Sequence, residues 1–407
     1  MSPAPLSSAA ARSAAIPLPM TRKSAYRSRR VSILLSYHPR LMPFADTPAP
    51  VRFDVQASST RYAVDIHAGS AHTLAAALDR LQLPRRRFIV SSPTVWRFHG
   101  DTFRVVTPEE PILVADGERA KNLTTVGRIY DALVRAQADR GSAIVAVGGG
   151  VIGDMAGFAA ATFLRGIPVV QVPTTLLAQV DSAIGGKTGV NHTLGKNLIG
   201  SFHQPAAVVV DPALLSTLPR REFRAGLYEV VKYGVIASRE LFEKIHAGLP
   251  ALFARDTATL VPVIAESCRI KARVVETDER ETGLRRTLNF GHTAGHALEA
   301  VTKYRRFRHG EAVAYGMLTA AELALARRVI STHDRDALHA LIVKMGPLPP
   351  VGDLQAAHVV DAVSRDKKVV DGTLHYVLPT EIGRTEIATD VSAAELRDAL
   401  VAVGLRG

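Results

Sequence analysis

At 407 residues and 47% apolar composition, the chain is long enough for two domains with a buried core. Its single cysteine, Cys268, excludes a disulfide framework and a thiolate zinc site, fits a reducing, cytoplasmic compartment, and reads as a small buried apolar residue. The net charge of +12 suggests nucleic acid until it is located: Arg12, Arg22, Lys23, Arg27, Arg29, Arg30 and Arg40 all precede the first acid, Asp46, so the body is only mildly basic and suits a small anion better than DNA or RNA.

Residues 1–48, rich in Ala, Ser, Pro and Arg without periodicity, are expected to form a disordered basic leader. Their acid-free, Arg-rich composition resembles an organellar transit peptide without the apolar core of a secretory signal. A true start near Met42 accounts for them equally well. No apolar run reaches the roughly 18 residues that span a membrane, so no membrane partner is expected.

From residue 49 to 218 the chain reads as an α/β domain. Apolar alternation in VRFDVQ and YAVDIHAG predicts a hairpin, HTLAAALDRLQL a helix and RRRFIVSS a strand. The runs FRVVTP, SAIVAVGGG, IPVVQVP and AAVVVD then read as strands, with KNLTTVGRIYDALVRAQA and GDMAGFAAATF as helices between them. That alternation implies a parallel, Rossmann-like sheet with crossover helices. Within it, Gly148, Gly150 and Gly153 match GxGxxG at a strand-to-helix turn, where helix N–H groups can receive a pyrophosphate. Glycines there also serve packing, and the usual partner acid about 20 residues on is absent. Asp154 is available instead. Glu118 and Lys121, in a polar turn after a strand, are a second nucleotide candidate or simply a solvated helix start.

VPTTLLAQVDSAIGGKTGVNHTLGKNLIGSFHQP follows, read as a long functional loop. Its lysines and Asn197 could hold phosphate or carboxylate oxygens. It lacks the GxxxxGK[ST] spacing of a triphosphate-binding loop. Beyond Pro219 the apolar period becomes 3.6, predicting a helical domain over residues 219–407 with one late hairpin around Asp371-Gly372.

In that helical half lie Glu229, His292, His296 and His309, the residue types that bind zinc or a similar borderline cation. His292 and His296, four apart, share one helix face, an arrangement that is also common without a metal. The adjacent Gly291, Gly295 and Gly310 cost helix stability, which suggests that something approaches the backbone closely.

Six segments in order, GGGVIGDMAGFAAATFLRG, VPTTLLAQVDSAIGGKTGVN, GKNLIGSFHQP, RAGLYEVVKYG, NFGHTAGHALEA and HGEAVAYGM, resemble the 3-dehydroquinate synthases, sugar-phosphate cyclases of the shikimate pathway. The resemblance runs from about residue 50 to the C-terminus. It implies zinc, or cobalt, on Glu229, His292 and His309, with His296 in acid-base work. It implies NAD on Glu118, Lys121, Gly149, Gly150, Asp154, Thr174, Thr175, Lys187, Lys196 and Thr217. A sugar-phosphate substrate would meet Arg165, Asp181, Lys187, Lys196, Asn197, Lys232, Lys271, Arg285 and Asn289, with Lys367 or Lys368 closing over it. Ser91-Ser92-Pro93-Thr94 stands where many members carry an acid or Asn, which puts adenosine-side contacts in doubt. A homodimer is implied by the family alone.

The activity so implied converts 3-deoxy-D-arabino-heptulosonate 7-phosphate to 3-dehydroquinate and phosphate. A ring hydroxyl is oxidised transiently, phosphate is eliminated, and reduction, ring opening and aldol closure follow without net NAD turnover. Another sugar-phosphate cyclase, making a deoxy-inosose or valiolone product, is the near alternative. A metal-dependent polyol dehydrogenase would not need the loop lysines, and a catalytically dead module would not keep Glu229, His292 and His309.

Overall fold

The computed structural model describes residues 48–58, 60–281, 283–365, 369–370 and 373–407. The expected leader falls outside this range apart from residue 48, as do Lys367, Lys368, Asp371 and Gly372.

The first half follows the expected alternation: β1 (Val51–Gln56), β2 (Arg61–Ile66), α1 (Leu74–Arg80), β3 (Arg86–Ser91), α2 (Pro93–Phe103), β4 (Ile112–Leu113), α3 (Leu123–Arg135), β5 (Ser142–Gly148), α4 (Gly150–Thr162), β6 (Val169–Pro173), β7 (Lys187–His192), β8 (Gly195–Phe202) and β9 (Ala207–Val210). Seven strands form one sheet in the order β1-β2-β9-β6-β5-β3-β4. The β1–β2 pair is antiparallel and every other neighbouring pair is parallel.

The central strands are apolar on both faces because helices cover both. Along β5, Ile144 and Ala146 join α3 and α4 in one core, whereas Val145 and Val147 join α1 on the other side. A third core is shared between Val64, Val208 and Val210 of the sheet and Leu227, Ile264, Leu298 and Val313 of the second half. Each such side chain contributes about 1.5–3 kcal/mol on full burial. The two halves are thereby joined by packing that resists relative displacement.

The second half is built from α5 (Arg220–Ala237), α6 (Arg239–Phe253), α7 (Thr257–Thr277), α8 (His292–Val301), α9 (His309–Ala326), α10 (Thr332–Lys344), α11 (Ala356–Ser364) and α12 (Ala393–Ala402). Between α11 and α12 lie the short pairs β10 (Val369–Val370) with β11 (Thr373–Leu374), and β12 (Tyr376–Glu381) with β13 (Arg384–Ala388). The single expected hairpin is therefore two, the second turning at Gly383 with φ 102°.

Two further expectations are corrected. FRVVTP is not a strand. Ser92 caps α2 by accepting from the Val95 N–H, Pro93 presets the first turn, and Arg104–Val106 prolong the helix as a 3-10 turn. The adjacent valines mimicked a strand. The lysine-rich stretch is likewise not an open loop: a π-helical turn, Ala178–Ser182, leads into the antiparallel pair β7–β8, in which Gly189 faces Gly200. A β-carbon on Gly189 would lie 2.5 Å from the Ile199 carbonyl oxygen. The glycines of this stretch let two strands close on each other.

Candidate active site

A cavity of about 1560 Å³ lies between the carboxyl ends of the sheet strands and the helices of the second half, the usual ligand position in an open α/β sheet. Its α/β wall includes Glu118, Lys121, Gly149, Gly150, Asp154, Thr174 and Thr175. Its helical wall includes His296, Glu299, Tyr304, Arg308 and His309.

Helix packing assembles the histidines. His292 opens α8 after Gly291 in left-handed conformation, φ 76°, and His296 follows one turn later. His309 opens α9, whose start is fixed by Glu311: its carboxylate accepts from the Arg308 N–H at 2.8 Å and from Arg221 Nε and Nη2 of α5 at 2.7 and 2.6 Å. The close approach that the glycines suggested is made by neighbouring helices. A β-carbon on Gly316 would lie 1.7 Å from the Gly291 carbonyl oxygen, and one on Gly295 would lie 3.0 Å from that of Ala312.

Nitrogens of His292, His296 and His309 lie within 4.8 Å of one another. Glu229, fully buried on α5, places Oε1 3.6 Å from His292 Nε2 and 3.5 Å from His309 Nε2. Its Oε2 is 2.6 Å from Lys232 Nζ, yet neither carboxylate oxygen receives a hydrogen bond of good geometry. Nδ1 of His292 is 3.0 Å from the Phe290 carbonyl, and Nδ1 of His309 is 3.2 Å from Glu299 Oε2. Carbonyl and carboxylate oxygens only accept, so both Nδ1 atoms carry a proton, and the Nε2 atoms are the ring positions turned toward Glu229. Burial disfavours a charge on His309, but Glu299 and Glu229 outweigh it and raise its pKa. The local field therefore favours a cation.

The basic groups expected to meet an anion are mostly held by internal acids. Lys271, buried on α7, donates to the Asp181 carboxylate and, at 2.5 Å, to the Asp181 carbonyl oxygen, while Tyr233 donates to the same carboxylate at 2.9 Å. Burial lowers the Lys271 pKa despite this partner. For Lys232, burial is outweighed by Glu229 and Asp181, and the pKa rises. Asp181 resists its burial through Lys271 and Lys232 and titrates well below the usual range. Lys187 pairs with Glu281, whose Oε1 also accepts from Asn289 at 2.8 Å. Arg285 donates to the carbonyl oxygens of Glu279 and Gly185. Lys187, Lys232, Lys271 and Arg285 are not among the residues that line the cavity.

At the opposite wall, Lys121 donates to Asp154 and, at 2.6 Å, to Asn197 Oδ1. Asp154 is thus already engaged, and burial raises its pKa against the pull of Lys121. Thr217 lines the cavity with its hydroxyl 2.8 Å from His99 Nε2. Lys196 and Asn197 reach the cavity from β8. Arg165 is not brought there: Leu164 and Arg165 both adopt positive φ, 50° and 71°, and this reversal after α4 leaves Arg165 exposed away from the lining residues.

Sequence reasoning passed over Glu299, Tyr304, Arg308, His99, His358 and Arg365, all of which line the cavity. Glu299 carried a signal. It follows His292 and His296 by seven and three positions, which places it on their helix face. His99 lies on α2, a segment to which the sequence reading gave no helix, and His358 on α11 and Arg365 just past its end had no neighbouring motif to single them out.

A family model described as the 3-dehydroquinate synthase N-terminal domain matches residues 111–225, and one for the C-terminal domain of the same family matches residues 226–369. A 3-dehydroquinate synthase from Geobacter sp. is 47% identical over 339 residues, covering 82% of this chain and 94% of that one. Among solved structures, a 2-epi-5-epi-valiolone synthase from Streptomyces hygroscopicus with NAD+ and Zn2+ bound superposes with a TM-score of 0.77 at 28% identity, over 84% of this chain and 96% of its own. A 2-deoxy-scyllo-inosose synthase complexed with carbaglucose-6-phosphate, NAD+ and Co2+ gives 0.77 at 26% identity, over 86% and 99%.

Proposed function

The chain belongs to the 3-dehydroquinate synthase family, and on that premise we propose that it converts 3-deoxy-D-arabino-heptulosonate 7-phosphate to 3-dehydroquinate and phosphate, with NAD and a divalent cation, zinc or cobalt. The observation that carries the reading is the buried Glu229 carboxylate, short of well-formed hydrogen bonds, faced by the Nε2 atoms of His292 and His309 beside a cavity lined from both halves. Identity of 47% to a 3-dehydroquinate synthase against 26–28% to the inosose and valiolone enzymes favours this substrate over theirs.

One carboxylate and two imidazoles match a catalytic cation site with an open position. We assign Glu229, His292 and His309 to the cation. The uncapped start of α4 at Gly149 and Gly150 opens onto the cavity and suits a pyrophosphate, with Glu118, Lys121, Asp154, Thr174, Thr175 and Thr217 around it. When bound, NAD supplies a reversible hydride acceptor and the cation a Lewis acid at the hydroxyl being oxidised.

The chain's own residues bind, orient and move protons. His296, on the cavity wall and 5.4 and 5.7 Å in ring centroid from His292 and His309, carries the hydroxyl proton, imidazole being the side chain that titrates nearest neutrality. Lys187, Lys196, Lys232, Lys271, Arg285, Asn197 and Asn289 compensate the substrate's carboxylate and phosphate. Asp181 accepts from Lys271 and from the Tyr233 hydroxyl, so that the Lys271 charge is preorganised rather than recruited. Arg165, Lys367 and Lys368 are proposed as further anion contacts on family resemblance alone.

A homodimer and a cytoplasmic location belong to the same proposal. Among the described residues no helix is long and apolar enough to cross a membrane, and Leu198 and Phe202 on β8 are exposed, a surface that a second copy would cover. Sedimentation equilibrium showing a monomer at micromolar concentration would remove the dimer. The activity is tested by phosphate release from the heptulosonate phosphate with NAD and cation, which should vanish in cation-free protein. Turnover of sedoheptulose 7-phosphate or glucose 6-phosphate instead would move the chain to the other cyclases.

A further inference from the structure

Glu299 keeps a charge where packing asks for none. It lies on α8, 5% exposed, and an ionised carboxylate is far costlier to bury than the glutamine amide that would fill the same space. Its two oxygens serve different partners. Oε2 accepts from His309 Nδ1–H at 3.2 Å. Oε1 lies 3.5 Å from Lys196 Nζ, and that ammonium also stands 4.1 Å from the centre of the Tyr304 ring. One carboxylate thus bridges an imidazole of the histidine cluster and a lysine on the cavity wall.

We infer that Glu299 is a positioning residue that couples cation binding at His309 to the availability of Lys196 for an anion. The inference rests on the reading of His309 as a cation ligand. A carboxylate behind a ligating imidazole fixes its tautomer and raises its basicity, and loss of such a partner typically weakens cation binding about 10–100-fold. The same negative charge cannot serve both neighbours equally. A cation on His309 Nε2 makes Nδ1–H a stronger donor and draws Glu299 toward it, which releases Lys196 toward the cavity. An anion that takes Lys196 away leaves Glu299 wholly to His309 and strengthens cation binding in return, as linkage requires.

The test is Co2+ affinity of the full chain by chelator competition, with the visible absorption of bound Co2+ as a signature of ligand geometry. Glu299→Gln should keep the fold, weaken Co2+ about 10–100-fold and shift the spectrum. Lys196→Met should tighten Co2+ several-fold when Glu299 is present and leave it within about twofold when Glu299 is Gln, the non-additivity expected of coupled neighbours. An unshifted spectrum with unchanged affinity in E299Q, or an equal effect of K196M in both backgrounds, overturns the coupling. Should E299Q fail to fold, K196M alone decides: tightening supports the inference and unchanged affinity overturns it. Unchanged affinity in His309→Ala would instead remove the cation-ligand reading, and the inference with it.

Discussion

Gly310 stands so close to Ala225 that a β-carbon on it would lie 1.9 Å from the Ala225 carbonyl oxygen. That contact seats the start of α9 against α5, and one turn further along α5 is Glu229. The His309–Glu229 approach therefore depends on a residue with no side chain.

Gly310→Ala should force the two helices apart and destabilise the protein by about 1–3 kcal/mol, the cost of overpacking. Because Glu229 and His309 separate as the helices do, cation content should fall along with the melting temperature. Metal analysis of gel-filtered protein together with a thermal melt checks both. A normal cation content would show that the contact is not what sets the site.

His292→Ala and His296→Ala should part company. The first removes a ligand and should leave protein without stoichiometric zinc or cobalt. The second should retain the cation and lose about 10²–10⁴ in turnover, the usual worth of a general acid-base group. Cation content and phosphate release measured on the same preparations separate the roles. Equal cation loss in both would make His296 a ligand.

Lys271→Met should be costly because it takes from Asp181 its direct ion-pair partner and leaves Tyr233 as the hydrogen-bond donor. Removing one partner of a buried pair costs about 3–5 kcal/mol, whereas replacing both is often near neutral. The double change K271M with D181N should therefore recover much of the stability while leaving phosphate release abolished. Urea titrations of the single and double variants, beside activity, test this. A double variant no more stable than K271M would mean that the pair is not energetically coupled.

Glu395→Gln probes a region remote from the cavity. Glu395 accepts from Arg327 Nε and Nη2 at 2.8 and 2.9 Å and, at the start of α12, from the Ser392 N–H at 2.9 Å. Arg327 chiefly, then Ser392, holds its pKa down to about 2. A depressed folded-state pKa stabilises above the unfolded value, near 4.3 for Glu, and that contribution is lost as pH falls toward about 2. The melting temperature of E395Q should thus lie below that of the wild-type chain at pH 7, with the gap narrowing only below about pH 4. A gap that does not change with pH would assign the effect to shape rather than charge.

Much of the fold was legible because period-2 and period-3.6 apolar patterns report which faces are buried. SAIVAVGGG, apolar throughout, reads as a strand covered on both sides, and that is β5. FRVVTP failed because two adjacent valines outweighed the Ser92-Pro93 helix start that explains them. The loop lysines were located by composition, but their partners were not. Nothing local says that Lys187 meets Glu281, 94 positions away, or that Lys271 meets Asp181, 90 positions away.

Residue type and order, by themselves, determined the chemistry this chain has to offer: a carboxylate and three imidazoles, a glycine turn at a strand end, and cations in glycine-flanked segments. Only the tertiary structure decided how those groups divide the work. Which ring nitrogen faces Glu229 is set by the Phe290 carbonyl and by Glu299, and which acid each lysine meets, Asp154 for Lys121, Glu299 for Lys196 and Asp181 for Lys271, is set by elements distant in the chain. Tautomer and pairing are properties of neighbours brought together by packing, and sequence spacing carries no record of them beyond a single helix face.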